Sequence, residues 1–260
     1  FYEYFGKYIT VDTRMHHQFL SSFSRHIKNG NCLVYDNLIN ICIMVKNAGP
    51  GFRDILTRNL PFADYWTILD TGSTDDTVKI AREVLADTLH EIHQEPFLGF
   101  RVSRNRLLEL AGRKCVFNIM LDDTYFLNGN IREFLHIVRS DQVADSFSLV
   151  IENIDTQYTS NRITRSDRGL KYVGDMHEIV QTENNFNAQV PYRWGFIRDV
   201  DSEYMKSRAA ERKLSDIQTL MRMRDENPDD PRNYYYIADS YICLKDWVKA
   251  EEWFRKRASI

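Results

Sequence analysis

The 260-residue chain carries 34 Lys and Arg against 37 Asp and Glu, for a formal charge of −3, with 43% hydrophobic and 27% charged residues. This is the make-up of a folded globular chain, one large domain or one domain with an appendage, and it excludes wholesale disorder. The charge balance argues against nucleic acid or an anionic membrane surface as partner, because both call for a basic excess.

No apolar run approaches the ~20 residues that span a bilayer, no signal peptide is evident, and the chain opens at Phe1 rather than Met, as in a fragment or trimmed chain. Residues 1–37 are aromatic-rich and irregular, with a turn at Asn29-Gly30-Asn31, and read as an N-terminal extension. The first strong strand runs from Leu38 to Val45, a β-branched run stopped by Lys46-Asn47-Ala48-Gly49-Pro50-Gly51. A helix is expected over 52–59 and a second strand from Tyr65 to Leu69. Asp70-Thr71-Gly72-Ser73-Thr74-Asp75 then supplies a turn and cap residues for a helix from Asp76 to Ala86. A third strand over Glu91 to His93, a helix over Arg101 to Ala111 and a strand from Cys115 to Leu121 complete the first half.

Strands alternating with helices imply an α/β fold with a mainly parallel twisted sheet, its ligands bound beyond the carboxyl ends of the strands. Lys46-Asn47, Asp70 and Asp122-Asp123 each follow one of these strands directly, so they should line a common crevice. After Asp123 the pattern changes. Phe147 to Ile151 and Arg162 to Arg165 read as strands around a polar connection, Ile179 to Gln181 as another, and Asn128-Gly129-Asn130 as a solvated turn. The basic residues Arg162, Arg165, Arg168 and Lys171, interrupted by Asp167, read as the solvated face of a hairpin.

An amphipathic helix is expected from Ser202 to Met223, ended by Asn227-Pro228-Asp229-Asp230-Pro231, with two more over Tyr234 to Leu244 and Val248 to Ala258. Ala238, Tyr241, Ala250, Phe254 and Ala258 echo the small and aromatic positions of a tetratricopeptide repeat. One such unit cannot bury its own face, so it should dock on the main domain or continue further. Cys32, Cys42, Cys115 and Cys243 are too few and scattered for a disulfide framework or a zinc site, and no Asn-x-Ser/Thr acceptor occurs, which together suggest a cytoplasmic compartment.

Of the turn at 70–75, Asp75 or Thr74 suffices to cap the helix, which leaves Asp70 over; a strand-end carboxylate suits hydrogen bonds to a base or ribose. Asp122 and Asp123 are adjacent like charges. They fit a solvated turn or a hard divalent cation bridging a diphosphate.

Taken in order, Ile43-Met44-Val45-Lys46-Asn47, Leu69 to Thr77, Ser103-Arg104-Asn105, Met120-Leu121-Asp122-Asp123 and Tyr172-Val173-Gly174-Asp175-Met176-His177-Glu178 resemble family 2 glycosyltransferases of the GT-A fold. The resemblance covers roughly residues 38–200, and helices similar to residues 225–258 follow in one branch of that family. It implies three parts: the extension at 1–37, a GT-A domain at 38–200 and a helical, tetratricopeptide-like segment at 201–260. It also implies a nucleotide-sugar donor, with UDP favoured over GDP, a glycan or protein acceptor hydroxyl and transfer with inversion. By the same resemblance Lys46, Asn47, Asp70, Arg104 and Asn105 line the nucleotide-sugar site. Asp122 and Asp123 fall at its metal motif with His177 nearby, for Mn²⁺ or Mg²⁺. Glu178 is the expected base, with Asp175 in reserve, and the helical segment is an expected contact for a protein partner.

Four positions depart from the family pattern: Ala48 and Gly99 stand where it has Glu and Asp, and two more lie around the expected cation. The metal segment reads Leu121-Asp122-Asp123-Thr124 rather than Leu-Asp-Ala-Asp, and a later His falls at Arg193. Arg193 is therefore expected to offer a fixed positive charge to the diphosphate. The altered motif also permits a different class of function, a nucleotide-sugar-binding module with weakened turnover that recruits a protein through its helices. A sugar-phosphate nucleotidyltransferase is set aside, because Lys46 to Pro50 lacks its Gly-rich, Arg-containing signature.

Overall fold

The computed structural model describes residues 37–140, 143–154, 156–174, 176, 178–181, 186–200 and 203–260, with the backbone alone over 203–212. Residues 1–36 of the expected extension, and Asp175 and His177 of the expected site, lie outside the described residues.

The expected α/β class holds, with helices on both faces of a twisted sheet. Strand β1 (Ile39–Val45) pairs in parallel with β2 (Tyr65–Asp70) on one side and β4 (Phe117–Leu121) on the other. Beyond β2 lies β3 (His90–Gln94), also parallel. The run β1 reads Ile-Asn-Ile-Cys-Ile-Met-Val because both of its faces are covered. Ile39, Ile41, Ile43 and Val45 join the larger core, while Cys42 joins a second cluster with Leu69, Leu107, Ala111, Met120 and Tyr172.

Helices α1 (Phe52–Asn59) and α2 (Thr77–Val84) cover the first face; α3 (Phe100–Ala111) covers the second. Burying Phe52, Trp66 and Phe117 completely stabilises the first layer by about 1.5–3 kcal/mol for each side chain. Gly112, at φ +53, supplies the left-handed residue that ends α3.

Past β4 the sheet becomes mixed. Strand β7 (Gln157–Arg165) runs antiparallel to both β4 and β6 (Ser146–Glu152). Along its other edge β6 is flanked in parallel by β10 (Asn187–Gln189) and β11 (Gly195–Asp199), and β5 (Tyr125–Gly129) closes the sheet antiparallel to β11. A separate two-stranded ribbon, β8 (Lys171–Val173) with β9 (Ile179–Gln181), lies under α3.

Three expectations are corrected here. Asn128-Gly129-Asn130 is solvated at Gly129 and Asn130 but is not a turn alone: Asn128 and Gly129 end β5, and Asn130 precedes helix α4 (Ile131–Val138). A methyl group at Gly129 would lie 2.9 Å from Gly195 Cα, and one at Gly195 only 2.5 Å from Asn128 O, so two backbones meet where only glycine fits. Nor do Arg162 and Arg165 lie on a solvated face, being 8% and 3% exposed. Arg165 donates to the carbonyls of Ala144, Arg139 and Val138 and lies over the Phe117 ring, closing the β6–β7 end from within. Third, the last helices start earlier than composition suggests, because Pro231 occupies the first turn behind an Asp230 cap that accepts from Arg232 N.

Helices α5 (Glu203–Glu226), α6 (Pro231–Cys243) and α7 (Trp247–Ala258) pack in sequence around Leu220, Ile237, Ala238 and Trp253. Tyr241 and Phe254 pack against this cluster and Ala250 is buried between helices, whereas Ala258 is exposed. Met176, from the loop between β8 and β9, also packs against it. No helix among the described residues is long and apolar enough to cross a membrane.

Candidate functional site at the carboxyl edge of the sheet

The parallel register puts Val45 beside Asp70, Asp70 beside Gln94 and Ile43 beside Leu121, so the segments after β1, β2, β3 and β4 emerge along one edge. The loops after β1 and β2 are tied together. Asn47, at φ +52, donates its N–H to Ser73 Oγ at 2.8 Å and accepts from Thr74 N at 2.7 Å through Oδ1. Ala48 N donates to Thr77 Oγ1, and Gly49 N to Asp75 Oδ2. Asp75 Oδ1 also accepts from Thr77 N at the start of α2, but the N-cap position is Asp76, which makes no side-chain cap bond, rather than Asp75 or Thr74. Burial alone would raise the Asp75 carboxyl; bonds from Thr77 and Gly49 outweigh it and hold it below the ordinary value.

Asp70 reaches this edge but is fully buried, accepting from Ser73 N through both oxygens at 3.1 and 3.2 Å and from Gln94 Nε2 at 3.4 Å. Its carboxylate holds the turn from beneath. Lys46 stands exposed above it.

A second group gathers between β4, α3, β7 and the ribbon. Asp122 Oδ1 lies 3.2 Å from Arg104 Nη2, and Asp122 Oδ2 lies 3.3 Å from Arg162 Nη2. Arg104 Nε stands 2.9 Å from Glu178 Oε1, but the N–H is turned away, so this is an ion contact in which neither atom is hydrogen-bonded. Arg162 donates through Nε to Ser160 Oγ and lies over the Tyr125 ring, whose hydroxyl meets that of Tyr158 at 2.9 Å. Arg104 lies 5.6 Å from the centre of the Tyr172 ring.

Burial by itself pushes both guanidinium groups towards losing their proton. The Asp122 carboxylate leads the opposing charges and holds both above the ordinary value. Burial likewise raises the Tyr125 and Tyr172 phenols, so both stay protonated at neutral pH.

Asn105 points elsewhere. Its Nδ2 donates to Tyr172 O at 2.9 Å and its Oδ1 accepts from Tyr172 N at 2.7 Å, which fastens β8 to α3. Adjacent positions on one helix thus divide the work, Arg104 facing the charged group and Asn105 holding the ribbon. Thr124, at the altered position of the acidic segment, donates to Asp199 Oδ1 at 2.7 Å. Asp123 sits half-buried in the same turn.

Arg193 is not brought to this group. It is exposed in the short 3-10 turn Tyr192–Trp194, beyond the Gly195 end of β11, whereas the Asp199 end is the one beside Thr124. The length of a five-residue strand, roughly 13 Å at ~3.3 Å per residue, separates them. The second cation beside Asp122 is Arg162. Strand alternation carries the signal that would have found it. Ile163, opposite Ile119, faces the larger core, so Arg162 must face the other layer, with Met120 and α3.

The described residues fit a divalent cation poorly. Both Asp122 oxygens and Glu178 Oε1 already meet guanidinium groups, and among the described residues no three His, Cys, Asp or Glu side chains gather closely enough to hold a metal. A cation on Asp122 would lie within ~6 Å of two guanidinium groups, each repelling it by about 5 kcal/mol at an effective dielectric of ~20.

No protein-family model and no curated protein matches the chain. Among solved structures, TarS 1-349 of S. aureus overlaps at a TM-score of 0.47 and 11% identity, over 78% of this chain and 70% of that one. The same protein in complex with UDP-GlcNAc gives 0.45 and 11%, over 84% and 81%. Glucosyl-3-phosphoglycerate synthase from Mycobacterium tuberculosis, in complex with Mg²⁺ and UDP, gives 0.33 and 15%, over 45% and 43%. Overlaps this partial assign no role to any residue.

Proposed function

We propose that the chain is an inverting glycosyltransferase of GT-A type that moves a hexosyl group from a UDP-sugar to a hydroxyl of a glycan or protein acceptor. The observation that carries this reading is the convergence of Arg104, Asp122, Arg162 and Glu178 at the carboxyl edge of the sheet, beside the tied loops of Asn47 and Asp70. Such an edge is where α/β sheets bind nucleotides. Lys46 and Asn47 would border the nucleotide, and Asp70 would act through the turn that it supports.

In the reaction, the acceptor oxygen attacks the anomeric carbon from the face opposite the leaving group. The bond from that carbon to the β-phosphate oxygen breaks, its electron pair leaving with the diphosphate. The acceptor proton passes to the Glu178 carboxylate. A single displacement inverts the anomeric centre. Charge growing on the diphosphate needs preorganised donors nearby, and the guanidinium groups are the described cations best placed to serve. Free thiols at Cys42, Cys115 and Cys243 accord with a cytoplasmic setting, which we include in the proposal, together with recruitment of a protein partner by the helices and the repeat-like character of α5–α7.

The test is UDP release from a panel of UDP-sugars, with Glu178→Gln alongside. Turnover by the parent chain and its loss in the variant support the reading. Nucleotide binding with no turnover for any donor or acceptor would favour the binding module instead, a reading that the Arg104 contact with Glu178 makes worth testing.

A further inference from the structure

Arg104 comes from the second turn of α3 and Arg162 from the middle of β7, yet both guanidinium groups end on the two oxygens of one carboxylate. They repel one another, and Asp122 holds them side by side. The arginine side chains are 14% and 10% exposed and the bridging Asp122 33%.

Neither cation is saturated. Arg162, 8% exposed overall, has its Nη1 buried with no hydrogen-bond partner among the described residues, and Arg104 Nε, in ion contact with Glu178 Oε1, makes no hydrogen bond either. Buried donors of this kind are seldom left unmade, and planar guanidinium forks fit phosphate oxygens two at a time. Tyr125 covers Arg162 and Tyr172 lies beside Arg104.

We propose that Arg104 and Arg162, aligned by Asp122, bind the diphosphate of the sugar donor directly and serve in place of a divalent cation. The inference rests on the sugar-transfer reading and deepens it. Asp122 becomes a positioning residue for two cations rather than a metal ligand, and the diphosphate, rich in acceptor oxygens, supplies the partners that the spare donors lack. When the donor's glycosidic bond breaks, the negative charge on the departing β-phosphate is met by fixed guanidinium N–H groups.

The experiment is calorimetric titration of the full chain with UDP and with uridine, each with Mn²⁺ and with EDTA. Parent, Arg162→Met, Arg162→Lys and Asp122→Asn are compared. The parent should bind UDP more tightly than uridine, by the same factor in EDTA as in Mn²⁺. Arg162→Met should weaken UDP by roughly 10- to 100-fold while leaving uridine unchanged. Arg162→Lys, which keeps the charge but loses the fork, should fall between. Circular dichroism checks each fold; if Arg162→Met does not fold, Arg162→Lys and Asp122→Asn carry the comparison.

UDP binding that requires Mn²⁺ overturns this inference and leaves the transferase reading intact. UDP binding unchanged in all variants also overturns it. Failure of the parent to bind either UDP or uridine overturns both.

Discussion

Arg162 and Asp122 meet across two antiparallel neighbours, Nη2 to Oδ2 at 3.3 Å, because β7 returns along β4 with Ile163 opposite Ile119. The pairing places a cation from the middle of one strand beside an acid that ends the other.

Glu178→Gln keeps the shape of the side chain and removes the proton acceptor. Turnover should fall by ~100- to 10,000-fold, with UDP affinity little altered. Initial rates at saturating donor, set beside a UDP titration, separate the two effects; equal losses in both would move Glu178 from the chemistry to the binding.

Asn105→Ala removes both bonds to the Tyr172 backbone. Leaving that N–H and carbonyl without these partners costs about 2–4 kcal/mol, a fall in melting temperature of roughly 5–15 °C for a chain of this size. Asn105→Asp keeps the acceptor and should lie between. An unchanged melting temperature in Asn105→Ala would show that the ribbon is held by other contacts.

At the Gly129–Gly195 crossing, a methyl on Gly195 meets Ile131 Cγ1 at 2.2 Å and Asn128 O at 2.5 Å, one of them backbone. Gly195→Ala should therefore cost about 1–3 kcal/mol, seen as a lower midpoint in urea. If the midpoint holds, the two strands must part more easily than their packing indicates.

Asn47 combines a left-handed backbone with a side-chain tie to Thr74. Asn47→Gly keeps the first and loses the second, at about 1 kcal/mol. Asn47→Ala loses both and should cost a further ~1–2 kcal/mol. The order Asn, Gly, Ala in thermal stability is the prediction; Ala ranking above Gly would contradict it.

On the far strand of the sheet, Lys114 Nζ lies 2.5 Å from Glu91, and this bond, with help from His93 and Tyr65 against burial, lowers the Glu91 carboxyl from 4.5 to about 2. A depressed folded value means that the stabilisation is complete above pH 4.5 and is lost as pH falls towards 2. Because the group is 38% exposed, solvent screening keeps the effect small. Urea unfolding at pH 5 and at pH 2.5 should show a smaller acid loss in Glu91→Gln than in the parent, and equal losses would assign the acid sensitivity to other carboxylates.

Runs such as Ile39 to Val45 and Phe117 to Leu121 are legible in sequence because both faces are buried, so nearly every residue is apolar and the parallel half announces itself. The convergence of Asp70 and Asp122 on one edge followed from the same alternation of strand and helix. Strands β5 and β11 were hidden for the opposite reason. Asn128-Gly129 and Gly195 carry turn chemistry, and only the close approach of two backbones explains those glycines. Arg162 was hidden because a buried guanidinium looks like a surface one until its partner Asp122 is in view. Arg193 lies beyond the Gly195 end of β11, because motif order fixes position along the chain but not at which end of a strand a side chain lies.

Met176 belongs to the same loop as Glu178, yet its side chain is gripped by the cluster of Leu220, Ile237 and Trp253. The helical cluster thus holds one residue of the loop that carries the expected base. Loosening it by Trp253→Ala, far along the chain from any charged group of the edge, should slacken that loop and raise amide exchange over residues 178–181. The helices would then set how firmly that loop is held.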